Sequence, residues 1–430
     1  MPAFWDRESE LSRIRRRLGG AAFGYVTGRR RVGKTALLLE AIRRFGGLYH
    51  QAVEGTAQQQ LLHFADEIGE ALPIFRDVVP RTWSEFFRLL SRASLPPLMV
   101  WDEFPYWSQG DAGLASLAQK WVDHELPKRR TLLLLSGSAQ SMLYSQFLSH
   151  ASPLYGRASL RIHLEPLGYP WFCRALGYDP DRADSFVRFS LVGGVPHYWK
   201  LMPRGTPTQQ AAELYFEPSA ILAEEPVRLI RDEGVVGALP KAILDLVGRG
   251  VARPSELASR LGTAQGNLSR PLALLLELGL IHRELPFGES SRTTKRVLYG
   301  VQDPALAFYY GTYLPSRSRW KTLPAKEVER LLHGHASRCW ERFCRQAYPG
   351  SGRYWEAGVE LDMVWRPDGK KRALVAECKW SRVGDCEGRS LLEDLRARFC
   401  RSALARRFHA VDFRVFSQRD LPEIARRFNS

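Results

Sequence analysis

The sequence predicts a multidomain α/β protein, and three observations predict it. Over the first 170 residues, short apolar runs alternate with amphipathic segments, the wiring of a parallel sheet with helices on its faces. A glycine-rich stretch, Gly28 to Thr35, separates the run Gly24 to Thr27 from a helix pattern at Ala36 to Phe45. At 430 residues the chain exceeds what one core serves, and its length suggests two to four domains.

The elements follow in order. Leu98 to Trp101 and Leu132 to Leu135 are continuous apolar runs bounded by turn residues or charges, as expected of strands buried on both faces in the sheet centre. From about Tyr169 the pattern turns helical, punctuated by Gly193-Gly194-Val195-Pro196, and reads as a small helical lid. Between Ala238 and Val301 come two helix patterns and a third around Leu268 to Leu278. Apolar strands then flank the polar stretch Pro286 to Thr294, the order of a winged helix-turn-helix. After Pro324 a helical stretch precedes strands at Val359 to Trp365 and Ala373 to Lys379, a helix at Leu391 to Arg407 and a strand at Ala410 to Phe416. That order describes a separate α/β domain. The expected domains are residues 1–170, 171–235, 236–310 and 311–430.

Composition narrows the function classes. The hydrophobic share of 45% and charged share of 25% are those of a chain folded throughout. Lys and Arg total 62 against 46 Asp and Glu, a formal charge of +16, which favours an anionic partner such as nucleic acid. The six cysteines form no CxxC pair and have no histidine at zinc spacing, which speaks against a zinc cluster and against a disulfide framework. The polar N-terminus lacks the apolar stretch of a signal peptide, and no run is long enough to span a bilayer. A soluble cytoplasmic protein without a membrane partner is expected.

Gly28-Arg29-Arg30-Arg31-Val32-Gly33-Lys34-Thr35 is GxxxxGKT between a strand and a helix, the context that makes it a phosphate-binding loop for ATP. Gly28, Arg31, Val32, Gly33, Lys34, Thr35 and Ala36 are the expected nucleotide contacts. Backbone N–H groups and the helix N-terminus face the phosphates, Lys34 supplies a point charge, and the Thr35 hydroxyl serves Mg²⁺. Asp102, at the end of the apolar strand Leu98 to Trp101, is the expected second Mg²⁺ group, and Glu103 the residue that orients and polarises the attacking water. Ser136 or Ser138 could touch the γ-phosphate, or both are plain turn residues. Arg157 is either an arginine finger for a neighbouring subunit or a surface ion-pair residue.

At this point the chain resembles the prokaryotic ATPases of the AAA and STAND-like group, whose members carry a helical lid, a winged helix and a C-terminal nuclease-like (DUF234-type) domain. The matching residues are Phe4, Arg7, Glu8 and Leu11, GRRRVGKT, the DEF at Asp102 to Phe104, SGSAQSM, YGR and GGVP. The resemblance spans nearly the whole chain. It implies an AAA-type core, self-association into a homo-oligomer, and adenine contacts from the segment before the loop.

In the winged-helix segment, Pro254 to Leu261 and Ala264 to Leu278 have helix-turn-helix spacing about Gly262-Thr263. Gln265, Asn267, Ser269 and Arg270 near the start of the second helix, with Arg292, Lys295 and Arg296 from the wing, could meet DNA. A packing module is the equal alternative. Pro271 is expected to kink the interior of that helix and so to oppose sequence reading by it.

Glu360-Leu361-Asp362 places both carboxylates on one strand face, and Glu377-Cys378-Lys379 does the same for Glu377 and Lys379. Asp362 and Glu377 on neighbouring strands could share a hard divalent cation, Mg²⁺ or Mn²⁺, with Lys379 acting on water or phosphate. Glu341, on a helix ending near Tyr348, could add a carboxylate. This looks like the PD-(D/E)xK nuclease superfamily, with a restriction-endonuclease-like α/β domain, although Leu361 stands where the name gives Pro. Arg396, Arg398, Arg401, Arg406 and Arg407 are expected on one following helix, either as a solvated face or along a phosphate backbone. The function expected is an ATP-binding and hydrolysing protein that controls a metal-dependent endonuclease domain acting on nucleic acid, DNA foremost. The alternative is an ATP-switched nucleic-acid-binding, transcriptional or signalling assembly without cleavage.

Overall fold

The computed structural model describes residues 4–109, 111, 113–137, 152–292, 294–367 and 372–428. The chain divides into two compact units. The first is Met1–Pro166 with Val195–His197 and Asp232–Gly234, and the second is Leu167–Gly194, Tyr198–Arg231 and Val235–Ser430.

The first unit is built on a five-stranded sheet of order β2-β3-β4-β1-β5, comprising β1 (Ala22–Gly28), β2 (Leu48–Gln51), β3 (Leu98–Asp102), β4 (Leu132–Ser136) and β5 (Leu160–Leu164). Every pairing is parallel. Both β3 and β4 are buried along their whole length, as their unbroken apolar runs require. Alternation then sorts their side chains. Met99, Trp101, Leu133 and Leu135 enter an aromatic core with Phe64, Trp83, Phe86 and Trp107, while Leu98, Val100, Leu132 and Leu134 pack on the opposite face. That second face is closed by α1 (Glu8–Arg15) and α2 (Lys34–Phe45), through Leu11, Ile14, Leu37, Leu38 and Ala41. The aromatic face is covered by α3 (Ala57–Ile68), α4 (Trp83–Leu90) and α5 (Leu114–His124). Trp101, 1% exposed between Phe87, Phe104 and Trp107, is central there, and Trp101→Ala would cost roughly 3–5 kcal/mol.

The second unit opens with helices, including α6 (Tyr169–Leu176), α7 (Ala183–Val192) and α8 (Ile221–Asp232), the last ending at the residue where the chain rejoins the first unit. Three helices follow, α9 (Ala238–Gly248), α10 (Pro254–Arg260) and α11 (Ser269–Glu277), and then the antiparallel pair β6 (Ile281–Glu284) and β7 (Leu298–Val301). Residues Gln265–Leu268 form a separate 3-10 turn, so the third helix begins at Ser269 and not at Ala264. This corrects the reading of Pro271. It lies in the first turn of α11, where an N–H has no intrahelical partner to lose, and it neither breaks a hydrogen bond nor kinks an interior.

The C-terminal part is a mixed sheet of order β11-β10-β9-β8, made of β8 (Gly352–Glu356), β9 (Val359–Trp365), β10 (Arg372–Cys378) and β11 (Ala410–Phe416). β10 runs parallel to β11 and antiparallel to β9, and β8 pairs antiparallel with β9. The long α12 (Ala325–Gln346) precedes the sheet, α13 (Asp385–Arg401) connects β10 to β11, and α14 (Leu421–Arg426) ends the chain. The helix expected at Leu391 to Arg407 therefore starts earlier, directly after Gly384, and stops at Arg401. Arg406 and Arg407 fall in and just after a 3-10 turn, so the five arginines do not share a helix.

Candidate functional site

The phosphate-binding loop is the link between β1 and α2. At Gly28, φ is +140° and a Cβ would stand 2.7 Å from the Leu164 carbonyl oxygen on β5, so only glycine allows the strand to turn there. Gly33, at φ +103°, caps α2, and Arg31 holds a left-handed φ of 66° between them. The loop leads straight into the N-terminus of α2, where unpaired N–H groups favour an anion. Lys34 is buried, and its Nζ donates to the carbonyls of Gly28 at 2.8 Å and Arg29 at 3.1 Å. Burial pushes the ammonium below its usual range, opposed by the charges of Glu103, Asp102 and Glu233.

Thr35, one residue on, donates its hydroxyl to Asp102 Oδ2 at 2.7 Å, which joins the loop to the end of β3. Tyr49 OH donates to the same oxygen at 3.0 Å, and the Glu103 N–H donates to Oδ1 at 3.0 Å. Asp102 is 1% exposed, and both its carboxylate oxygens accept hydrogen bonds. A hydroxyl and a carboxylate oxygen at this separation are hard donors of the kind Mg²⁺ takes beside phosphate and water, so these residues fit that cation. Glu103 follows with a left-handed φ of 52°, a backbone conformation uncommon for residues with a Cβ. Ser136 ends β4 with its hydroxyl buried and, among the described residues, without a hydrogen-bond partner. Ser138 lies outside the described residues.

Other placements depend on the tertiary fold. Arg157 Nε donates to Asp123 at 2.7 and 3.0 Å and its Nη1 to the Pro153 carbonyl at 2.6 Å, an ion pair within the chain. Asp232 pairs with Arg30 of the loop at 2.8 Å, and buried Glu233 acts on Lys34. Nothing in the local pattern of either acid ties it to a loop some 200 residues earlier. Tyr49 was equally silent, an aromatic residue on a short strand whose hydroxyl reaches Asp102 only through the pairing of β2 with β3.

In the second unit, Asp362 lies mid-strand on β9 and Glu377 near the end of β10. The pairing of Val375 with Val364 and Ala376 with Met363 brings the two acids abreast one step further on. Asp362 Oδ2 accepts from the Cys378 N–H at 2.9 Å. Glu377 Oε1 meets Lys379 Nζ at 2.8 Å, and its Oε2 accepts from Arg398 at 2.6 Å. Arg398 is thus turned inward from α13, where its Nη1 also donates to the Glu360 carbonyl at 2.7 Å, and it is not part of a solvated arginine face. Burial would raise Glu377, but the hydrogen bonds from Lys379 and Arg398 outweigh it and hold the acid below its usual range. Asp362 is raised by burial and by the charge of Glu377. Burial, and then the Asp362 charge, push Glu341 on α12 up to about 7. Arg345, one turn beyond Glu341, donates Nη1 to the Asp362 carbonyl and Nη2 to Glu284 of β6, each at 3.0 Å.

The repulsion that raises Asp362 beside Glu377, and Glu341 beside Asp362, would be relieved by a cation. Among the described residues no group of three or more His, Cys, Asp or Glu side chains is gathered to hold a metal. Both oxygens of Glu377 face cationic side chains, so a divalent cation here would have to draw Glu377 from Lys379 and Arg398 and complete its shell with water or phosphate.

A parallel α/β sheet whose first strand runs through GxxxxGKT into a helix, with a Thr–Asp contact behind it, defines a P-loop ATPase core. Residues 4–197 match ATPase_2, an ATPase domain predominantly from Archaea, and residues 317–391, which include Glu341 to Lys379, match DUF234, described as archaeal and bacterial proteins of unknown function. An uncharacterized protein of Methanocaldococcus jannaschii is 25% identical over 414 residues, covering 91% of each chain. Among solved structures, a Walker-type ATPase of Pyrococcus abyssi is similar with a TM-score of 0.53 at 19% identity, over 71% of this chain and 96% of that one, a likeness of fold. The ORC2 protein of Aeropyrum pernix matches more loosely, with a TM-score of 0.42 and 15% identity over 79% of this chain and 95% of its own. Among the described residues no helix is long and apolar enough to cross a membrane.

Proposed function

We propose that this chain binds and hydrolyses ATP at the loop and uses the nucleotide to control a metal-dependent nuclease domain that acts on nucleic acid, DNA foremost. The observation that carries this reading is the side-by-side placement of Asp362 and Glu377, with Lys379 2.8 Å from Glu377 and Glu341 raised beside them. A divalent cation bound by these carboxylates would supply Lewis acidity toward a phosphodiester and lower the pKa of water. Asp362, fixed by the Cys378 N–H, presents its remaining oxygen, and Lys379 and Arg398 place positive charge where the phosphate would lie. At the other end, Lys34 and Thr35 would hold the phosphates and Glu103 would orient water. Self-association and DNA contacts from α10, α11 and the strands after them are parts of the same proposal, and the formal charge of +16 favours such a partner.

The test is a nuclease assay on single-stranded DNA, duplex DNA and RNA with Mg²⁺ or Mn²⁺, with and without ATP. Glu377→Ala should abolish cleavage and leave ATP hydrolysis intact, and persistent cleavage would remove the assignment. One observation favours a second reading, an ATP-switched nucleic-acid-binding assembly without cleavage. Both oxygens of Glu377 are already held by cationic side chains. Wild-type protein that binds strands yet cuts none of these substrates would establish that alternative.

A further inference from the structure

The chain leaving β6 runs along the free edge of β8, with the Phe287 N–H donating to the Arg353 carbonyl at 2.8 Å. This segment, the start of β8 and the residues before β11 line a cleft of about 610 Å³, within the size range of pockets that take small ligands. Phe287 and Phe408 stand in its wall, half-buried, with ring centroids 6.5 Å apart and planes inclined at 38°. Arg366 and Arg407 also line it, both exposed, and among the described residues neither makes an ion pair. Gly288 leaves room for Arg407, whose Nη1 would stand 3.3 Å from a Cβ there. The carboxylate in the lining, Glu289, is already engaged by Arg296.

Aromatic faces beside uncompensated guanidinium groups suit a flat π-system joined to phosphate. We propose that this cleft holds an unpaired nucleotide of a nucleic-acid strand, its base against Phe287 and Phe408 and its phosphates on Arg366 and Arg407. The proposal rests on the nucleic-acid reading above and gives it a substrate class, strands with unstacked bases in preference to intact duplex. A paired base is stacked and cannot enter without being extruded from the helix. The position suits the role. Leu285 of the cleft follows Glu284, and Glu284 holds Arg345, whose other nitrogen holds the Asp362 carbonyl, so a seated strand shares a frame with the carboxylates.

The experiment is fluorescence anisotropy with full-length protein in EDTA, so that no cleavage enters the signal. The probes are a labelled single-stranded 12-mer of DNA or RNA and a blunt duplex, with AMP as competitor. Single strands should bind more tightly than duplex. Arg366→Ala and Arg407→Ala should each reduce the slope of log K against log salt by about 0.7. Phe408→Leu should weaken binding roughly tenfold, with Phe408→Tyr restoring it. Equal affinity for duplex, or unchanged slopes and affinities in all the variants, overturns the proposal. So does competition by AMP at strand-like concentrations, which would assign the cleft to a free nucleotide. If these binding results hold and wild type cuts nothing with Mg²⁺ or Mn²⁺, the nuclease reading falls alone; if cleavage is present but indifferent to strandedness and to the arginines, the cleft falls alone.

Discussion

Lowering the pH should loosen the helix that carries Glu341, through a histidine six residues before it. His335 on α12 has no solvent exposure, and its Nε2 lies 2.7 Å from the Ser190 carbonyl on α7. A carbonyl only accepts, so Nε2 carries the proton and Nδ1 is bare, with no hydrogen-bond partner among the described residues. Protonating Nδ1 would create a buried charge without an acceptor. Burial, then the neighbouring Arg338 charge, push His335 from 6.5 down to about 3, against the Ser190 bond. Because the folded value is the lower, the unfolded chain takes the proton first. The contribution is fully present above about pH 6.5 and is lost as pH falls toward 3. At pH 5 the loss is about 2 kcal/mol. Urea unfolding of wild type and His335→Leu at pH 7.5 and 5.0 measures it. The variant starts less stable because its packing is altered, but its loss between the two pH values should be smaller by about 2 kcal/mol. An equal loss in both proteins would refute the assignment of the proton to a bare Nδ1.

Other outcomes follow from contacts already described. Lys34→Ala should lower ATP hydrolysis by roughly 10²-fold or more in a phosphate-release assay, and if ATP alters cleavage equally in wild type and variant, the loop does not control the second site. Because Glu341 is held up to about 7, Mn²⁺ binding at pH 6 should expel about one proton per site and at pH 8.5 almost none. Calorimetry in two buffers of different ionisation enthalpy counts those protons, and equal release at both pH values would exclude Glu341 from the cluster. Arg345→Met should cost roughly 2 kcal/mol because half-buried Glu284 keeps His282 but loses its guanidinium partner, while adding Glu284→Gln should recover part of it. Additive costs in that double-mutant cycle would mean that the pair does not bear on stability.

Much of the fold could be read directly from the chain because the relevant forces are local. Leu98 to Trp101 and Leu132 to Leu135 are apolar on every residue because both sheet faces are covered, and the strands lie where that pattern puts them. Val359 to Trp365 and Ala410 to Phe416 are likewise strands over those bounds. What was hidden depends on partners distant in sequence. β8, with the sequence GRYWE, alternates too weakly to announce itself and forms by pairing with β9. Arg398 looks like one arginine in a charged run until the packing of α13 against the sheet carries it to Glu377. Pro271 misled because a proline in the first helical turn and one in the interior look alike until the helix start is known. Asp232 and Glu233 gain meaning only when the chain returns to the loop at Arg30 and Lys34.

The Glu284–Arg345 pair bears on how this molecule can be taken apart. A fragment starting near residue 311 would keep Asp362, Glu377 and Lys379 yet lose the carboxylate that anchors Arg345. It would also strip the edge of β8 of the segment bonded to it at Arg353. The exposed strand edge would invite aggregation, and the guanidinium beside Asp362 would be left to seek a new anion. A cut placed before β6 keeps that pair but still takes the Ser190 carbonyl from His335 and Phe186 from Trp340 on α12, so a fusion or domain exchange that parts the carboxylates from these helices would be cutting through a working joint.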